Sequence, residues 1–359
     1  MRNIALFFIS ALALSGCGGV KVDMYRADAH NSGQFSEGVR TLHKLKWKYN
    51  SGSPIKTAIV VSDGTAYFGN SAGTVFALNT EDGSEKWRYR TDGPMGGAPA
   101  ISAGVVYIGS QDGTLYALDS GTGEPRWKFG SSGSITTSPT LLDGTLYFGN
   151  VAGDFYAVEA AGGREIWRFA SGAAIYSSPA VANGLALFGN DNGQLFALDI
   201  ASGNERWRFS TGGKIHADPM FHHDTVYIGS QDATLYAIDI KTGQQVWRYR
   251  AESVINGAAA VEGNTLIFGA NDGYLYALNL DSQRPKWKFK VHDWVSSGVA
   301  LADGQAYFGS YNNKLYAVNA KNGKETWSFT TQGAVLTSPE LDGGRIYIGS
   351  TDGAVYAIQ

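Results

Sequence analysis

Ala117-Leu118-Asp119-Ser120-Gly121-Thr122-Gly123-Glu124-Pro125-Arg126-Trp127 decides how this chain of 359 residues folds. It runs from an apolar strand through an acidic residue and a glycine-rich turn to a tryptophan. That tryptophan belongs to a series, Trp47, Trp87, Trp127, Trp167, Trp207, Trp247, Trp287 and Trp327, spaced by 40 residues without a slip. Such a period marks one supersecondary unit copied in tandem. Arg40 to Gln359 holds eight copies, and Trp294 alone stands outside the series.

The period from Ile135 to Gly172 shows what the unit is. Ile135 to Leu142 alternates, Asp143-Gly144 makes a turn, and Thr145-Leu146-Tyr147-Phe148-Gly149 follows as a second strand. After the turn Asn150 to Gly153 comes Asp154-Phe155-Tyr156-Ala157-Val158, then the turn Ala160-Ala161-Gly162-Gly163, then Glu165-Ile166-Trp167-Arg168-Phe169. Four short antiparallel strands with hairpin turns and no helical periodicity describe one propeller blade. The predicted fold is therefore all-β, an eight-bladed β-propeller of four-stranded antiparallel blades.

Two further positions keep step. Gly69, Gly109, Gly149, Gly189, Gly229, Gly269, Gly309 and Gly349 end the second strand, where a neighbour comes close or the strand bends. Ala77, Ala117, Ala157, Ala197, Ala237, Ala277, Ala317 and Ala357 sit on the third strand, where little more than a methyl fits between blades. The acidic or amide residue after the alanine can accept turn amides, and the glycine at Gly83, Gly123, Gly163, Gly203, Gly243 and Gly323 permits positive φ. Gln283 replaces that glycine once, so its turn is expected to be strained or differently shaped. The eight tryptophans are structural docking residues, each burying about 200 Å².

Where the repeat is cut predicts how the ring shuts. The chain ends Val355-Tyr356-Ala357-Ile358-Gln359, a docking stretch without its tryptophan, while Leu42 to Tyr49 is a tryptophan strand without its alanine strand. The N-terminal strand should complete the eighth blade and remove the free sheet edge. Residues 42–359 then form one propeller domain.

Ahead of it, Met1-Arg2-Asn3 and the apolar run Ile4 to Leu14 read as a secretory signal, too short to span a bilayer. Leu14-Ser15-Gly16-Cys17 resembles the bacterial lipobox, so residues 1–16 are expected to be a lipoprotein signal peptide and Cys17 the acylated, palmitate-bearing first residue. More than one acyl chain anchors a globular body stably. Cys17 is the sole cysteine, which excludes disulfides and CxxC metal or redox motifs. Loss of Arg2 leaves 28 basic against 32 acidic residues, a balance that offers no field for a nucleic-acid backbone. Residues 17–41 read as a lipidated tether and irregular lead-in.

The AxDxxTGxxxW pattern of Ala117 to Trp127 resembles the tryptophan-docking motif of the PQQ-like (quinoprotein-type) propeller repeat family, and Met24 to Gly33 resembles the lead-in of quinoprotein propellers. Eight blades behind a lipobox are similar, within that family, to the BamB-type lipoproteins of outer-membrane β-barrel assembly. The resemblance implies a non-catalytic, membrane-anchored scaffold, monomeric within a complex, whose partner is a BamA-type barrel-assembly component. Gly18, where enteric inner-membrane lipoproteins carry aspartate, favours the outer membrane, facing the periplasm. The quinoprotein branch implies the alternative, a periplasmic redox enzyme holding PQQ over calcium.

Function should lie where the periods diverge. The start of the inner strand reads Lys56, Gly96, Thr136, Tyr176, His216, Asn256, Ser296 and Leu336, and two residues later Ala58, Ala98, Ser138, Ser178, Asp218, Ala258, Gly298 and Ser338. Alternation turns both rings toward the channel. With Lys214 and Trp294 from the preceding loop, the candidates for partner or ligand binding are Lys56, Tyr176, Lys214, His216, Asp218, Asn256 and Trp294. One carboxylate and one amide there are few ligands for calcium, which takes six to eight oxygens. No catalytic grouping is predicted, and His222-His223-Asp224 replaces a turn on the opposite face, not a metal site. A small molecule or glycan at the mouth is a further alternative.

Overall fold

The computed structural model describes residues 21–42 and 44–359, and its regular structure is entirely β-strand. Cys17 and the expected signal peptide lie outside the described residues. Eight four-stranded antiparallel sheets follow one another in sequence around a ring. The first blade runs from its inner strand Val60–Ser62 through Thr65–Gly69 and Thr74–Asn79 to the outer strand Glu85–Arg90. Inner strands of neighbouring blades lie against one another around the axis. The second and third strands carry almost unbroken buried runs, such as Ala66, Tyr67 and Phe68 beside Val75, Phe76 and Ala77, because each blade has a neighbour on both faces.

The tryptophans lock blade to blade. Trp47, Trp87, Trp127, Trp167, Trp207 and Trp287 each donate the indole N–H to a carbonyl in the turn of the following blade, at Thr80, Ser120, Ala160, Ile200, Ile240 and Ala320, over 2.7–3.1 Å. Each ring also lies flat on the turn glycine of that blade, so a Cβ at Gly83 would stand 2.7 Å from the Trp47 indole. At Gln283 the turn keeps its hydrogen bond, Gln283 N–H to Asn279 carbonyl at 2.7 Å, and holds φ at +58°. The expected departure shows in two other ways. Asn279 and Arg284 add a rung of pairing, and the Trp247 indole, alone of the eight, has no carbonyl partner among the described residues.

Closure follows the predicted course. Leu45–Asn50 pairs antiparallel with Ala354–Ile358, Trp47 opposite Ala357, and Lys44 and Gln359 exchange two backbone hydrogen bonds of 2.8 and 3.0 Å. The last tryptophan, Trp327, docks across the junction on the Val39 carbonyl at 2.9 Å.

The lead-in does more than tether. Val22–Met24 adds a fifth strand to the second blade along Ala100–Ser102. The chain then crosses the axis, where the Ala29, His30 and Gly33 carbonyls accept the amides of Val181, Phe221 and Leu301 at 2.6, 3.0 and 2.7 Å. Arg26, 3% exposed, donates to the carbonyls of Asn31, Ala259 and Val299. The Asn31 side-chain amide reaches the carbonyls of Pro179 and Pro219 at 3.2 and 3.1 Å. One segment thus satisfies the exposed inner edges of the second, fourth, fifth, sixth and seventh blades, and it closes the channel at the end carrying the inner hairpin turns.

Candidate functional site: the open mouth of the propeller

The other end of the channel is formed by the loops entering each inner strand and by the turns between second and third strands. Within each entering loop a β-branched residue is driven inward. Ile175, Ile215 and Ile255 are fully buried, and their methyls occupy the space that a Cβ on Gly149, Gly189 or Gly229 would need. The residue after each, Tyr176, His216 or Asn256, is thereby turned to the mouth.

His216 stands at the centre of a side-chain network. Its Nε2 lies 2.7 Å from Asp191 Oδ1, and Lys214 Nζ lies 2.7 Å from Asp191 Oδ2. Gln231 Nε2 meets His216 Nδ1 at 3.1 Å and donates to Asn256 Oδ1 at 3.3 Å. In this arrangement the imidazole presents its N–H to the carboxylate and its lone pair to the amide. The Tyr176 ring packs on His216 with centroids 4.8 Å apart. One blade further, Ser296 donates to Asn271 Oδ1 at 2.8 Å, and Trp294 meets Tyr311 edge to face at 5.2 Å. Trp294, Tyr176 and Tyr311 are 50%, 40% and 37% exposed. Burial would raise the Asp191 carboxyl, but the hydrogen bonds from Lys214 and His216 outweigh it and hold the group below its usual range. The same bond holds Lys214 above its own.

The candidate residues therefore divide. Tyr176, Lys214, His216 and Asn256 come together, Trp294 joins the same arc through the seventh blade, and Lys56 stands exposed elsewhere on the rim without an ion pair among the described residues. Asp218 belongs to a different layer. Its carboxylate accepts the Ser178 N–H at 2.6 Å, one link of a belt in which Ala98 N–H donates to Ser138 Oγ, Ser138 N–H to Ser178 Oγ, and Gly298 N–H to Ser338 Oγ. Burial pushes Asp218 up to about 6, against the Ser178 bond and the Arg26 charge. The second ring is thus a seam between blades above the plugging segment. His223 takes φ +54° at the turn position of Asp63 and Asp143, with the rings of His222 and His223 4.1 Å apart.

Sequence reading missed Asp191, Gln231, Asn271 and Tyr311. They share one phase, which reads Ser71, Gln111, Val151, Asp191, Gln231, Asn271, Tyr311 and Thr351, and its divergence was the available signal. A mainly apolar groove of about 720 Å³ lies at the sealed end among Val22, Met24, Ala29, Leu141 and Leu142, with Asp28 and Asp143 also in its lining.

A quinone held over calcium would need a cluster of oxygen ligands at the axis. Asp218 is bonded to Ser178 and shares its surroundings with the Arg26 guanidinium and Tyr25, and both Asp191 oxygens are engaged. Among the described residues no three His, Cys, Asp or Glu gather as a metal site. This donor set does not match such a cofactor.

A family profile for the outer membrane protein assembly factor BamB matches residues 40–167, 151–293 and 271–359. The chain belongs to that family. No curated protein matches it in sequence. Among solved structures it is similar to BamB from Moraxella catarrhalis, at 19% identity over 88% of this chain and 99% of that one, with a TM-score of 0.76. Quinohemoprotein alcohol dehydrogenase from Comamonas testosteroni aligns over 94% of this chain and 80% of its own, at 16% identity and a TM-score of 0.81. The computationally designed Ika8 protein aligns over 90% and 99% at 18% identity, with a TM-score of 0.78. At such identities these structures share the family's fold.

Proposed function

We propose that this protein is a non-catalytic, lipid-anchored scaffold of the cell envelope, which docks a protein partner of the outer-membrane β-barrel assembly machinery on its open mouth. The observation that carries the reading is the asymmetry of the channel. One end is sealed by the chain's own residues 22–35, while the other presents divergent, partly exposed side chains from four adjacent blades. Exposed aromatics ringed by polar side chains are the composition of a protein-binding patch. Family membership supports a protein-binding role, and the proposed partner class is a BamA-type component. Acylation at Cys17 would hold the body at the outer membrane, facing the periplasm.

Photo-cross-linkers placed at Tyr176 and Trp294 in intact cells should capture a barrel-assembly component, and one placed at Asp143 on the sealed end should not. Recovery of no such component, with normal barrel-protein levels after gene deletion, overturns the reading. Cys17→Ser should move the protein from the membrane to the soluble fraction, and continued membrane association would sink the anchor.

A further inference from the structure

Trp294, Asn271, Asn256, Gln231 and Tyr176 form an arc across four consecutive blades, and their hydrogen-bond valences are spent on one side only. Gln231 uses its amide N–H groups on His216 and Asn256, so its carbonyl has no partner among the described residues. Asn256 and Asn271 use their carbonyls on Gln231 and Ser296, so their NH₂ groups have none. The Tyr176 hydroxyl and the Trp294 indole N–H are likewise unpartnered among the described residues, on side chains 40% and 50% exposed. The arc therefore offers fixed, uncharged donors and an acceptor in a row, with an exposed aromatic face at each end. Its internal hydrogen bonds hold the amides in place before any ligand arrives, which lowers the ordering cost of binding.

We propose that this arc binds a neutral, polyhydroxylated ligand, an oligosaccharide of several sugar units. The NH₂ groups of Asn256 and Asn271 can donate to sugar hydroxyls and the Gln231 carbonyl can accept from them, and the apolar face of a pyranose lies on an exposed indole or phenol ring. The arc residues are themselves uncharged, the neighbouring Asp191 is paired with Lys214 at 2.7 Å, and Asp293 beside Trp294 accepts the Trp294 backbone N–H at 2.8 Å. An extended peptide is the less favoured occupant. Among the described residues the mouth is built from loops and turns rather than a strand edge, and a mainly apolar groove that could take apolar side chains lies at the sealed end. The arc shares Tyr176 and Trp294 with the mouth proposed for docking a protein partner, but its occupancy is read on the purified protein, with neither the anchor nor the assembly component present.

The test is titration of the purified full-length protein with the tetrasaccharide of β-1,4-linked N-acetylglucosamine, read by tryptophan fluorescence and by ligand-observed NMR. Saturable binding with a blue shift of the exposed tryptophan is expected. Trp294→Ala and Asn256→Ala should each weaken it by about tenfold or more, as the loss of about 1.4 kcal/mol per contact requires. Both variants should keep the wild-type thermal midpoint, which separates loss of the site from loss of the fold. Absence of binding up to about 10 mM, the scale of negligible affinity, overturns the proposal. So does binding that both substitutions leave unchanged, or displacement of the sugar by unstructured peptides at lower concentration. Cross-linking to an assembly component without sugar binding would defeat this inference alone, and sugar binding without such cross-links would defeat only the partner reading.

Discussion

The Ser178 amide donates to the Asp218 carboxylate across 2.6 Å, stitching the fourth blade to the fifth beneath the mouth. Burial nonetheless lifts Asp218 to about 6, and the neighbouring groups are Tyr25 and Arg26 from the plugging segment. An unfolded aspartate titrates near 4, so between about 4 and 6 the folded protein binds the proton more tightly. Stability contributed by this group is therefore lost as pH rises through about 6. His222, which burial holds below its usual value, works in the opposite direction. Comparison with Asp218→Asn isolates the carboxyl, since the amide oxygen can still accept from Ser178. The variant should melt above the wild type at pH 8, by a margin that shrinks through the window between about 6 and 4 and vanishes below about pH 4. A variant that melts below the wild type at pH 8 would refute the assignment.

Gln283 occupies a left-handed turn position where six sister turns have glycine, and it faces the one ladder tryptophan without an indole hydrogen bond. Gln283→Gly relieves a conformation that costs an ordinary residue about 1 kcal/mol and frees the ring to descend on the turn. Urea denaturation should show a gain of that order. The reverse exchange, Gly243→Gln, should destabilise by at least as much, because a Cβ there would sit 2.6 Å from the Trp207 ring.

Ladder tryptophans and the stray tryptophan should respond differently. Trp47→Ala opens the closing blade and is expected to cost about 3–5 kcal/mol, as large core truncations do. Trp294→Ala, on an exposed loop, should change stability by less than about 0.5 kcal/mol. Equal losses in chemical denaturation would contradict the division between docking and surface roles.

Arg26 anchors the segment that seals the channel. Arg26→Met leaves the Ala259 and Val299 carbonyls without their donors, a loss of about 2–3 kcal/mol for a buried charged-donor network. Hydrogen exchange should quicken at the amides of Val181, Phe221 and Leu301, whose acceptors lie on the same segment. Unchanged protection at those three positions would show that the segment is held by something else.

The ring was legible because its causes are local and repeated. A turn glycine lies under an indole six times and an alanine sits between blades eight times, each demanded by the same contact, and the repetition exposes the demand. Closure was legible for the same reason, since Ala357 without a tryptophan and Trp47 without an alanine strand complete one motif. The plug was not, because Arg26 and Asn31 bond to backbone carbonyls, which leave no mark on the residues around them. At the mouth, Tyr176, His216 and Asn256 stood out as departures from their period, whereas Asp191 and Gln231 lie in turns whose polar residues look alike until the fold sets them beside His216. Asp218 shared a phase with the belt serines and took up their task.

Pairing Leu45–Asn50 with Ala354–Ile358 also fixes an order of events. A ribosome makes the closing strand roughly 300 residues before its partner, and the entropic cost of joining ends so far apart grows only with the logarithm of that distance. The plugging segment waits as well, because the inner edges it binds do not surround an axis until every blade is in place. The segments ahead of the first blade are thus the last to settle, and the ring stays open until the strand Ala354–Ile358 has been made.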